Sequence, residues 1–270
     1  MSALLQATGV VKRFGGLVAV DNVDIHVNAG EMVGLIGPNG SGKTTLFDCL
    51  SRVQTVDEGK VTFDGVDITR KAPHKVAHLG LARTFQVIRV YRDLTVLENM
   101  ELSVQWRDVN VSKLFRRSDS ATTDKADQLI DFLLLTRLRN EQAGTLSGGQ
   151  RRLLEIGMSL MSDPKLVLLD EATSGVNPSL VEEIKDRLRI LNKERGVGFL
   201  LVEHDIRFVK DLCERVVVLN YGAKLAEGAP EEIMDDPAVI EAYFGDDGGA
   251  APQASAASGD ADGNKRTETV

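Results

Sequence analysis

Short apolar stretches alternate with polar, glycine-containing ones over the first fifty residues. Residues 4–11 and 18–27 carry β-branched side chains in partial alternation with polar ones, which predicts two strands. The apolar run EMVGLIG at 31–37 predicts a third strand that ends in a glycine loop, and residues 44–50 suit a helix. The N-terminal part is therefore predicted to be rich in strands and to lead into a strand, a loop and a helix.

Apolar residues take helical spacing in the middle of the chain, from about residue 73 to residue 160, as in ADQLIDFLLLTRL at 126–138. The polar interval RRSDSATTDKAD at 116–127 predicts a loop or a junction between helices. We interpret this region as a helical insertion.

Strands and helices alternate again after the insertion. KLVLLD at 165–170 and GFLLVEH at 198–204 are continuous apolar runs typical of buried parallel strands, and residues 179–194 between them suit a helix. Strand, helix and strand in this order are typical of a doubly wound sheet.

Composition narrows the class of protein. The 270 residues are 43% hydrophobic, which is enough for a packed core. The mixed composition of a folded domain continues to about residue 245. Beyond it Gly, Ala, Ser and Asp dominate, so residues 1–245 are predicted to fold and 246–270 to form a disordered acidic tail. Cys49 and Cys213 match no metal-ligand spacing and are expected to be buried, reduced thiols.

The charge and the longest apolar runs bear on partners and location. A net charge of −8 disfavours a nucleic-acid partner, and it fits ordinary solubility as well as adaptation to high salt. No run approaches the roughly 18 apolar residues of a membrane span, and the N-terminus lacks the apolar centre of a secretory signal. A cytoplasmic location is therefore expected.

The segment GPNGSGKT at 37–44 matches the phosphate-binding pattern G-x-x-x-x-G-K-[ST], between a predicted strand and a predicted helix. Its glycines let successive N–H groups turn inward around phosphate oxygens, Lys43 reaches the β- and γ-phosphates, and the Thr44 hydroxyl can bind Mg²⁺. Thr45 adds a hydroxyl for the α-phosphate. The segment predicts a nucleotide site.

Two carboxylates, Asp170 and Glu171, follow an apolar strand at its carboxyl end, where parallel sheets bind ligands. An Asp there can orient Mg²⁺ and its waters, and the next carboxylate can polarise an attacking water, as in other P-loop NTPases. Glu171 alternatively stabilises the start of a following helix through the helix dipole.

A second segment that can hold an anion is LSGGQ at 146–150, directly before an apolar helical pattern. A helix begins with unpaired N–H groups and the positive end of its dipole, and glycines let a ligand approach them. The chain thus has two phosphate-type segments about a hundred residues apart.

His204 and Gln86 are weaker candidates. A lone His is more often an ordinary hydrogen-bonded residue than a catalytic one, but His204 ends a strand of the same predicted sheet edge. Gln86 stands at the entrance to the helical insertion, where its amide can reach a metal shell, although an isolated Gln carries no signal.

The order of these segments resembles the nucleotide-binding subunit of ABC transporters over residues 4–244. The resemblance lies in Phe14, GPNGSGKTT, Gln86, LSGGQ, LVLLDE, SGVNP and His204. It implies the ABC ATPase fold, which is an α/β P-loop NTPase core with a parallel sheet, an antiparallel β subdomain and a helical insertion at about 87–160. It also implies that two such domains meet head to tail, with each ATP between the phosphate loop of one and the LSGGQ segment of the other.

The resemblance further implies roles for single residues. Phe14 would stack on adenine. Glu171 would act as general base, with His204 at the γ-phosphate and Gln86 as the third catalytic side chain. Mg²⁺ would be held by Thr44, Gln86 and Asp170. The phosphates would be bound by Gly37, Pro38, Asn39, Gly40, Ser41, Gly42, Lys43, Thr44 and Thr45, and across the interface by Ser147, Gly148, Gly149 and Gln150.

Two residues depart from the family pattern. Ala172 stands where the family usually has Pro, and Asn177 stands where many members have the Asp of the loop that links the two ATP sites. The first departure alters the stiffness of the loop. The second bears on communication between the sites.

Three further segments resemble the ATP-binding subunits of branched-chain amino-acid importers, with urea and short-chain amide importers as relatives: FGGLVAVDNVDIHV, GLARTFQVIRVYRDLTVLENM and GAPEEIMDDPAVIEAYFG. The implied partners are a second ABC ATPase subunit, two integral membrane permease subunits and, indirectly, an extracytoplasmic solute-binding protein. The implied location is peripheral, on the inner face of the cell membrane.

The alternative from another class is a non-transport ABC ATPase. Ribosome-acting members normally carry two tandem ATPase units with a basic linker, and chromosome-type members carry a long coiled coil; the sequence shows neither pattern. An iron–sulfur assembly factor stays open as an alternative, as does uptake of urea, an amide or another solute.

The segment at 87–98 mixes charged and apolar residues, as the rim and centre of a modest protein interface do. Its charged residues are Arg89, Arg92, Asp93 and Glu98, and its apolar ones include Val90, Tyr91, Leu94 and Val96. An ordinary surface loop fits the same pattern. With the family resemblance, we expect this segment to receive a short cytoplasmic helix of the membrane subunit.

Overall fold

Two β-sheets organise the protein, which a computed structural model describes for residues 3–84, 90–105 and 120–244. Strands within these ranges are β1 (Leu5–Phe14), β2 (Leu17–Val27), β3 (Met32–Ile36), β4 (Glu58–Phe63), β5 (Val66–Asp67), β6 (Leu81–Arg83), β7 (Leu166–Asp170), β8 (Gly198–Val202), β9 (Arg215–Asn220) and β10 (Ala223–Gly228). Helices are α1 (Lys43–Leu50), α2 (Pro73–His78), α3 (Val96–Gln105), α4 (Ser120–Phe132), α5 (Gly148–Leu160), α6 (Pro178–Arg195), α7 (Ile206–Leu212), α8 (Pro230–Met234) and α9 (Pro237–Phe244).

The smaller sheet is antiparallel and has the strand order β2-β1-β4-β5. Its buried face, which includes Val20 and Phe63, shares one apolar cluster with Leu46 and Phe47 of α1. The turn between β1 and β2 lies outside this cluster, so Phe14 stays 46% exposed at the end of β1. The small sheet therefore covers α1 and presents an aromatic ring beside it.

The larger sheet has the order β10-β9-β3-β8-β7-β6, in which β10 is antiparallel to β9 and the other neighbours are parallel. Every residue of β3, β7 and β8 is buried, which explains their continuous apolar sequences. Since parallel strands end at one edge, the phosphate loop after β3, Asp170 at the end of β7 and His204 just after β8 come to the same edge.

Helices α3, α4 and α5 pack on one another in the middle of the chain, with Met100, Leu129, Leu133 and Leu153 in the main apolar cluster. Gly157 of α5 faces this contact, where an added Cβ would lie 2.7 Å from Leu133 Cδ1. The close approach of α5 to its neighbours therefore depends on glycine.

Two expectations about this region are wrong. Residues 120–127, read as a loop or junction, form the first two turns of α4, because a mostly polar surface helix needs only the stripe Ala126, Leu129 and Ile130 to pack. The helical interpretation from residue 73 missed β6, which pairs in parallel with β7. Three residues are too few for a period to be read from sequence.

Candidate functional site

The phosphate loop joins the end of β3 to the start of α1. At two positions it passes so close to neighbouring backbone that only glycine fits. Gly37 has φ 149° and Gly42 has φ 98°. A Cβ at Gly37 would lie 2.1 Å from Leu219 O, and one at Gly42 would lie 2.3 Å from Ala19 O. The two glycines thus let the loop turn against the backbone of neighbouring segments.

Lys43, the first residue of α1, is 6% exposed and curls back over the loop. Its ammonium donates hydrogen bonds to Gly37 O at 2.7 Å and to Pro38 O at 2.8 Å. Burial lowers the pKa of Lys43, while the nearby carboxylates of Glu171 and Asp170 raise it. The cation therefore lies inside the loop and faces the acidic edge of the sheet.

Ser41 supplies an independent sign of a ligand. Its Oγ is buried and has no hydrogen-bond partner among the described residues, an arrangement that is uncommon without a bound group. Helix α1 follows with Gly42 as its N-cap, without a side-chain cap and without an acidic residue in its first turn. Uncapped N–H groups and an unpaired hydroxyl fit a phosphate group.

A cavity of about 610 Å³ opens above the loop, a size typical of a small-molecule site. Its lining comprises Phe14, Leu17, Val18, Ala19, Asn39, Gly40, Ser41, Gly42, Lys43, Thr44, Thr45, Glu171, Val202, His204, Tyr221 and Gly222. The structure thus gathers Phe14, the later part of the phosphate loop, Glu171 and His204 around one space. Sequence reasoning missed Tyr221, which is 75% exposed in the turn between β9 and β10, because neither strand was recognised.

Asp170 ends β7 and is 1% exposed. Its Oδ2 accepts no hydrogen bond from the described residues and lies 3.7 Å from Arg83 Nη2. Burial raises the pKa of Asp170, and the charge of Arg83 opposes that rise. A buried carboxylate oxygen with this unused bonding capacity fits a ligand of a divalent cation.

Arg83, which sequence reasoning did not identify, connects β6 to α1. Its guanidinium lies 2.6 Å from Asp48 Oδ1, donates to Ser51 Oγ at 2.7 Å and stacks 4.8 Å from the centroid of the Phe47 ring. No local pattern marks it, because these partners lie more than thirty residues earlier in the chain. Arg83 holds the helix after the phosphate loop against the strand end that carries Asp170.

Glu171 has an unusual backbone, with φ 49°. The left-handed region costs a non-glycine residue about 1–2 kcal/mol, so the surroundings must hold this conformation. The Glu171 N–H donates to Val202 O at 2.8 Å, and Glu171 Oε1 lies 3.0 Å from His204 Nε2. The predicted base and the predicted His are therefore hydrogen-bonded partners. Gln86 lies outside the described residues.

The LSGGQ segment begins α5. Ser147 Oγ accepts from Gln150 N at 3.2 Å, and the Gln150 side chain accepts from Ser147 N at 2.9 Å, which together form a capping box. Within the described ranges, none of the residues 147–150 lines the phosphate-loop cavity. Gln150 therefore helps to cap α5, a structural role that differs from its predicted contact with ATP.

The two residues that depart from the family pattern, Asn177 and Ala172, both fit the local structure. Asn177 caps α6, since its Oδ1 accepts from Leu180 N at 2.9 Å, the bond that an Asp makes at the same position. Ala172 is 1% exposed and belongs to the main apolar cluster. Neither residue disrupts the fold of the loop after β7.

Comparison with known families identifies the chain. Residues 20–174 match the family model described as ABC transporter, and residues 223–249 match the one described as branched-chain amino acid ATP-binding cassette transporter. The chain belongs to the ABC transporter family. Within the described ranges of this ATP-binding cassette, no helix combines the length and apolar character needed to cross a lipid bilayer.

Similar proteins agree with this assignment. The high-affinity branched-chain amino acid transport ATP-binding protein BraF of Pseudomonas aeruginosa is 39% identical over 251 residues, which cover 90% of this cassette and 98% of BraF. The ADP conformation of MJ1267, an ATP-binding cassette of an ABC transporter, has a TM-score of 0.82 at 36% identity and covers 91% of this chain and 100% of that one. These relatives confirm the predicted fold and the resemblance to ATP-binding subunits of branched-chain amino-acid transporters.

A more distant neighbour has been solved as a dimer. The dimeric post-hydrolysis state of the ATP-binding cassette MJ0796, bound to ADP and Pi, has a TM-score of 0.74 at 26% identity and covers 84% of this chain and 98% of that one. In that protein, therefore, a similar cassette pairs with a second copy and holds the products of hydrolysis.

Glu203 is a buried carboxyl group of this cassette that sequence reasoning passed over. It follows β8 directly and is 3% exposed. Its two oxygens accept from Thr173 N at 3.1 Å and bond Thr173 Oγ1 at 2.9 Å. Burial raises the pKa of Glu203 to about 7, although the bonds from Thr173 lower it.

The raised pKa of Glu203 predicts a pH-dependent difference in stability. Between the ordinary value of 4.5 and about 7 the folded state binds more protons than the unfolded state, so wild-type stability falls as pH rises through this window. Glu203→Gln carries no such proton. The free energy of unfolding of Glu203→Gln minus that of wild type is expected to increase by up to roughly 3 kcal/mol between about pH 4.5 and pH 7 and to stay constant at higher pH.

Denaturant unfolding of both proteins over this pH range measures the difference, with the exposed Glu182→Gln as control. A difference between Glu203→Gln and wild type that does not change with pH would contradict the prediction.

Proposed function

We propose that this chain is the ATP-binding and hydrolysing subunit of an ABC importer that energises uptake of branched-chain amino acids through separate membrane subunits. The observation that carries the proposal is the pairing of Glu171 with His204, 3.0 Å apart, in the cavity above the phosphate loop. A base held by a second group beside a phosphate site is the arrangement that hydrolysis of a nucleotide needs.

The phosphate loop binds the triphosphate in this proposal. The Lys43 ammonium leaves its loop carbonyls for phosphate oxygens, and the unpaired Ser41 hydroxyl gains an acceptor. Thr44 and Asp170 would hold Mg²⁺ together with Gln86, and the ion would neutralise charge on the phosphates. Phe14 lines the same cavity and is 46% exposed, and in this proposal the adenine ring stacks on it.

Glu171 accepts the proton of the attacking water. Its carboxylate is 17% exposed, so solvent reaches it from the cavity. His204 holds the carboxylate in place from one side and faces the γ-phosphate from the other, which makes it an orienting partner of the base. The general-base role of Glu171 thus depends on the strained backbone that aims it.

A head-to-tail pair of cassettes completes each site. Ser147, Gly148 and Gly149 begin α5 away from the lining of their own chain's cavity, and in the pair they bind the γ-phosphate of the partner's ATP. This arrangement gives the second phosphate-type segment a ligand. The pairing of MJ0796 supports the proposal, and the second cassette here is another copy or a homologous companion.

The transported solute is proposed from kinship. The family match at 223–249 and the name of BraF both refer to branched-chain amino acids. In an importer of this kind the solute passes through the membrane subunits, and a peripheral cassette on the inner face of the membrane powers that passage. The helical unit at about 87–160 is proposed to carry the contact with those subunits.

The described part of the predicted contact segment, residues 90–98, is held by a buried amide. Asn99 Oδ1 accepts from Tyr91 N at 2.8 Å, and its Nδ2 donates to the carbonyls of Tyr91, Leu94 and Thr95. The side chains of Tyr91 and Arg92 stay exposed on this fixed backbone. A rigid loop with an exposed aromatic ring and an exposed guanidinium suits the recognition of a partner helix.

Lys43→Ala tests the phosphate loop. The change removes the ammonium that faces the phosphates, and a hydrogen bond to a charged group contributes about 1.5–3 kcal/mol, so we expect ATP affinity to fall at least about tenfold. Titration calorimetry with Mg-ATP measures it. The control is Lys165→Ala, which removes an exposed lysine that pairs with Asp64. Unchanged ATP affinity in Lys43→Ala would refute the assignment of the phosphate loop.

Glu171→Gln separates binding from chemistry. The amide keeps the shape and a hydrogen bond to His204 but accepts no proton, so ATP stays bound and is expected to hold two cassettes together. Size-exclusion chromatography with ATP measures a dimer, and ADP in place of ATP is the control. A monomer at every ATP concentration, both alone and with a homologous companion subunit, would exclude the role of Glu171.

Tyr91→Ala with Arg92→Glu tests the contact with the membrane subunits. The double change removes two exposed side chains of the interface, so leucine uptake by the reconstituted transporter is expected to fall at least about tenfold, while ATP affinity of the free cassette stays normal. The matched control is Leu134→Ala with Arg137→Glu, an exposed apolar and basic pair after α4.

Full leucine uptake by Tyr91→Ala, Arg92→Glu would place the contact elsewhere. The next surface to test is then the groove of about 320 Å³ lined by residues of α2, α3 and α5, including Val76, Ser103 and Met158.

A further inference from the structure

The backbone that carries Glu171 is held from two sides by buried charged side chains. Glu171 takes φ 49°, and the segment called the 170–173 turn comprises the last residue of β7 and the first three residues after it. A turn that keeps an L-residue in the left-handed region persists when its surroundings over-determine it. Arg152 and Glu203 bind the two ends of this turn, and they come from different elements of the fold.

Arg152 holds the first half of the turn. It is 1% exposed on α5, and its Nη2 donates to Asp170 O at 3.1 Å and to Glu171 O at 2.6 Å. Its Nη1 donates to Glu155 on the same helix, so the buried cation has a carboxylate partner. The planar guanidinium can serve two adjacent carbonyls and a carboxylate at once, which the single ammonium of a lysine matches poorly.

Glu203 holds the second half of the turn. One carboxyl oxygen accepts the Thr173 N–H and the other bonds the Thr173 hydroxyl, at 3.1 and 2.9 Å. The next residue in the chain is His204, the hydrogen-bond partner of Glu171. Glu203 therefore fixes the turn of the base relative to the strand end that carries the base's partner.

We propose that Arg152 and Glu203 are positioning residues that clamp the 170–173 turn and thereby aim Glu171 at the attacking water. The clamp rests on the proposed ATPase function. Arg152 stands five residues after Ser147 on α5, so the helix whose start binds the partner's ATP also holds the base of its own site. Movement of α5 on binding that second ATP reaches the base through two hydrogen bonds.

The clamp predicts a loss of turnover with no loss of ATP binding. Arg152→Met and Glu203→Ala free one half of the turn each, and because a misplacement of about 1 Å in a catalytic group costs up to about 100-fold, we expect kcat to fall about 10- to 100-fold. The Kd for ATP is expected to stay within about twofold, since no phosphate contact is removed.

Glu203→Gln supplies the rescue. Its amide makes the same two hydrogen bonds to Thr173, so kcat is expected to stay within about threefold of wild type. Arg152→Lys keeps a buried cation and serves in place of Arg152→Met if that variant does not fold, with a smaller loss of kcat expected. The matched controls are Arg189→Met and Glu182→Ala, which remove one half-exposed and one exposed charge from α6.

Hydrogen exchange gives a second readout that needs no ATP turnover. Amides of residues 171–174 are expected to exchange faster in Arg152→Met and in Glu203→Ala, and those of α1 to exchange as in wild type. If wild type binds no ATP, the proposed function fails while exchange still tests the clamp. The clamp itself is overturned if either variant keeps wild-type kcat and wild-type exchange at 171–174, or if the Kd for ATP rises in proportion to the loss of kcat.

Discussion

The register of three buried parallel strands is the constraint on which the rest of the site depends. Val202 of β8 pairs with Leu35 of β3 on one side and with Asp170 of β7 on the other. One or two residues beyond this row come the phosphate loop, Glu171 and His204, so the pairing alone sets their spacing along the sheet edge. Both faces of these strands are buried, and alternate residues pack into two different apolar clusters. A slip by one residue would move every side chain of a strand to the opposite face and into the wrong cluster, so packing opposes it. Apolar packing thus determines where the polar chemistry lies.

Buried charges then fix what the strand register leaves adjustable. Lys43, Arg83, Asp170, Arg152 and Glu203 lie within or beside the sheet edge, and each is desolvated at a cost that only good partners offset. Arg83 ties α1 to the end of β6, and Arg152 ties α5 to the turn after β7. In a low-dielectric surrounding such contacts are strong and directional, so the helices cannot drift relative to the strand ends. The site is a set of helix ends anchored to a rigid sheet.

The sequence predicts the residues whose chemistry follows from local spacing. The phosphate loop, Asp170, Glu171 and the capped start of α5 lie in short segments where each residue type has a reason at its position, and the apolar runs place three of the core strands. Local spacing does not predict four other residues of the site, which are Arg83, Arg152, Glu203 and Tyr221. Their hydrogen-bond partners, or the cavity that they line, come from segments tens of residues away in the chain. β6 is too short for a period, and the first turns of α4 are too polar to resemble a packed helix. Local patterns therefore predict the candidate reacting groups, while the groups proposed to position them need the fold.

Helix α5 connects the LSGGQ segment to the backbone that carries Glu171. The capping box of Ser147 and Gln150 satisfies the N–H groups of these two residues at the start of α5. The N–H groups of the two glycines between them point along the helix axis, away from the helix. Within two turns the same helix reaches the backbone of Asp170 and Glu171 through Arg152. In the proposed pair of cassettes, α5 would meet the partner's ATP with its start and its own chain's base through Arg152, so that one helix would join the two contacts. The distance in the sequence between the phosphate loop and the LSGGQ segment, about a hundred residues, is spanned in the fold by a sheet edge and this single helix.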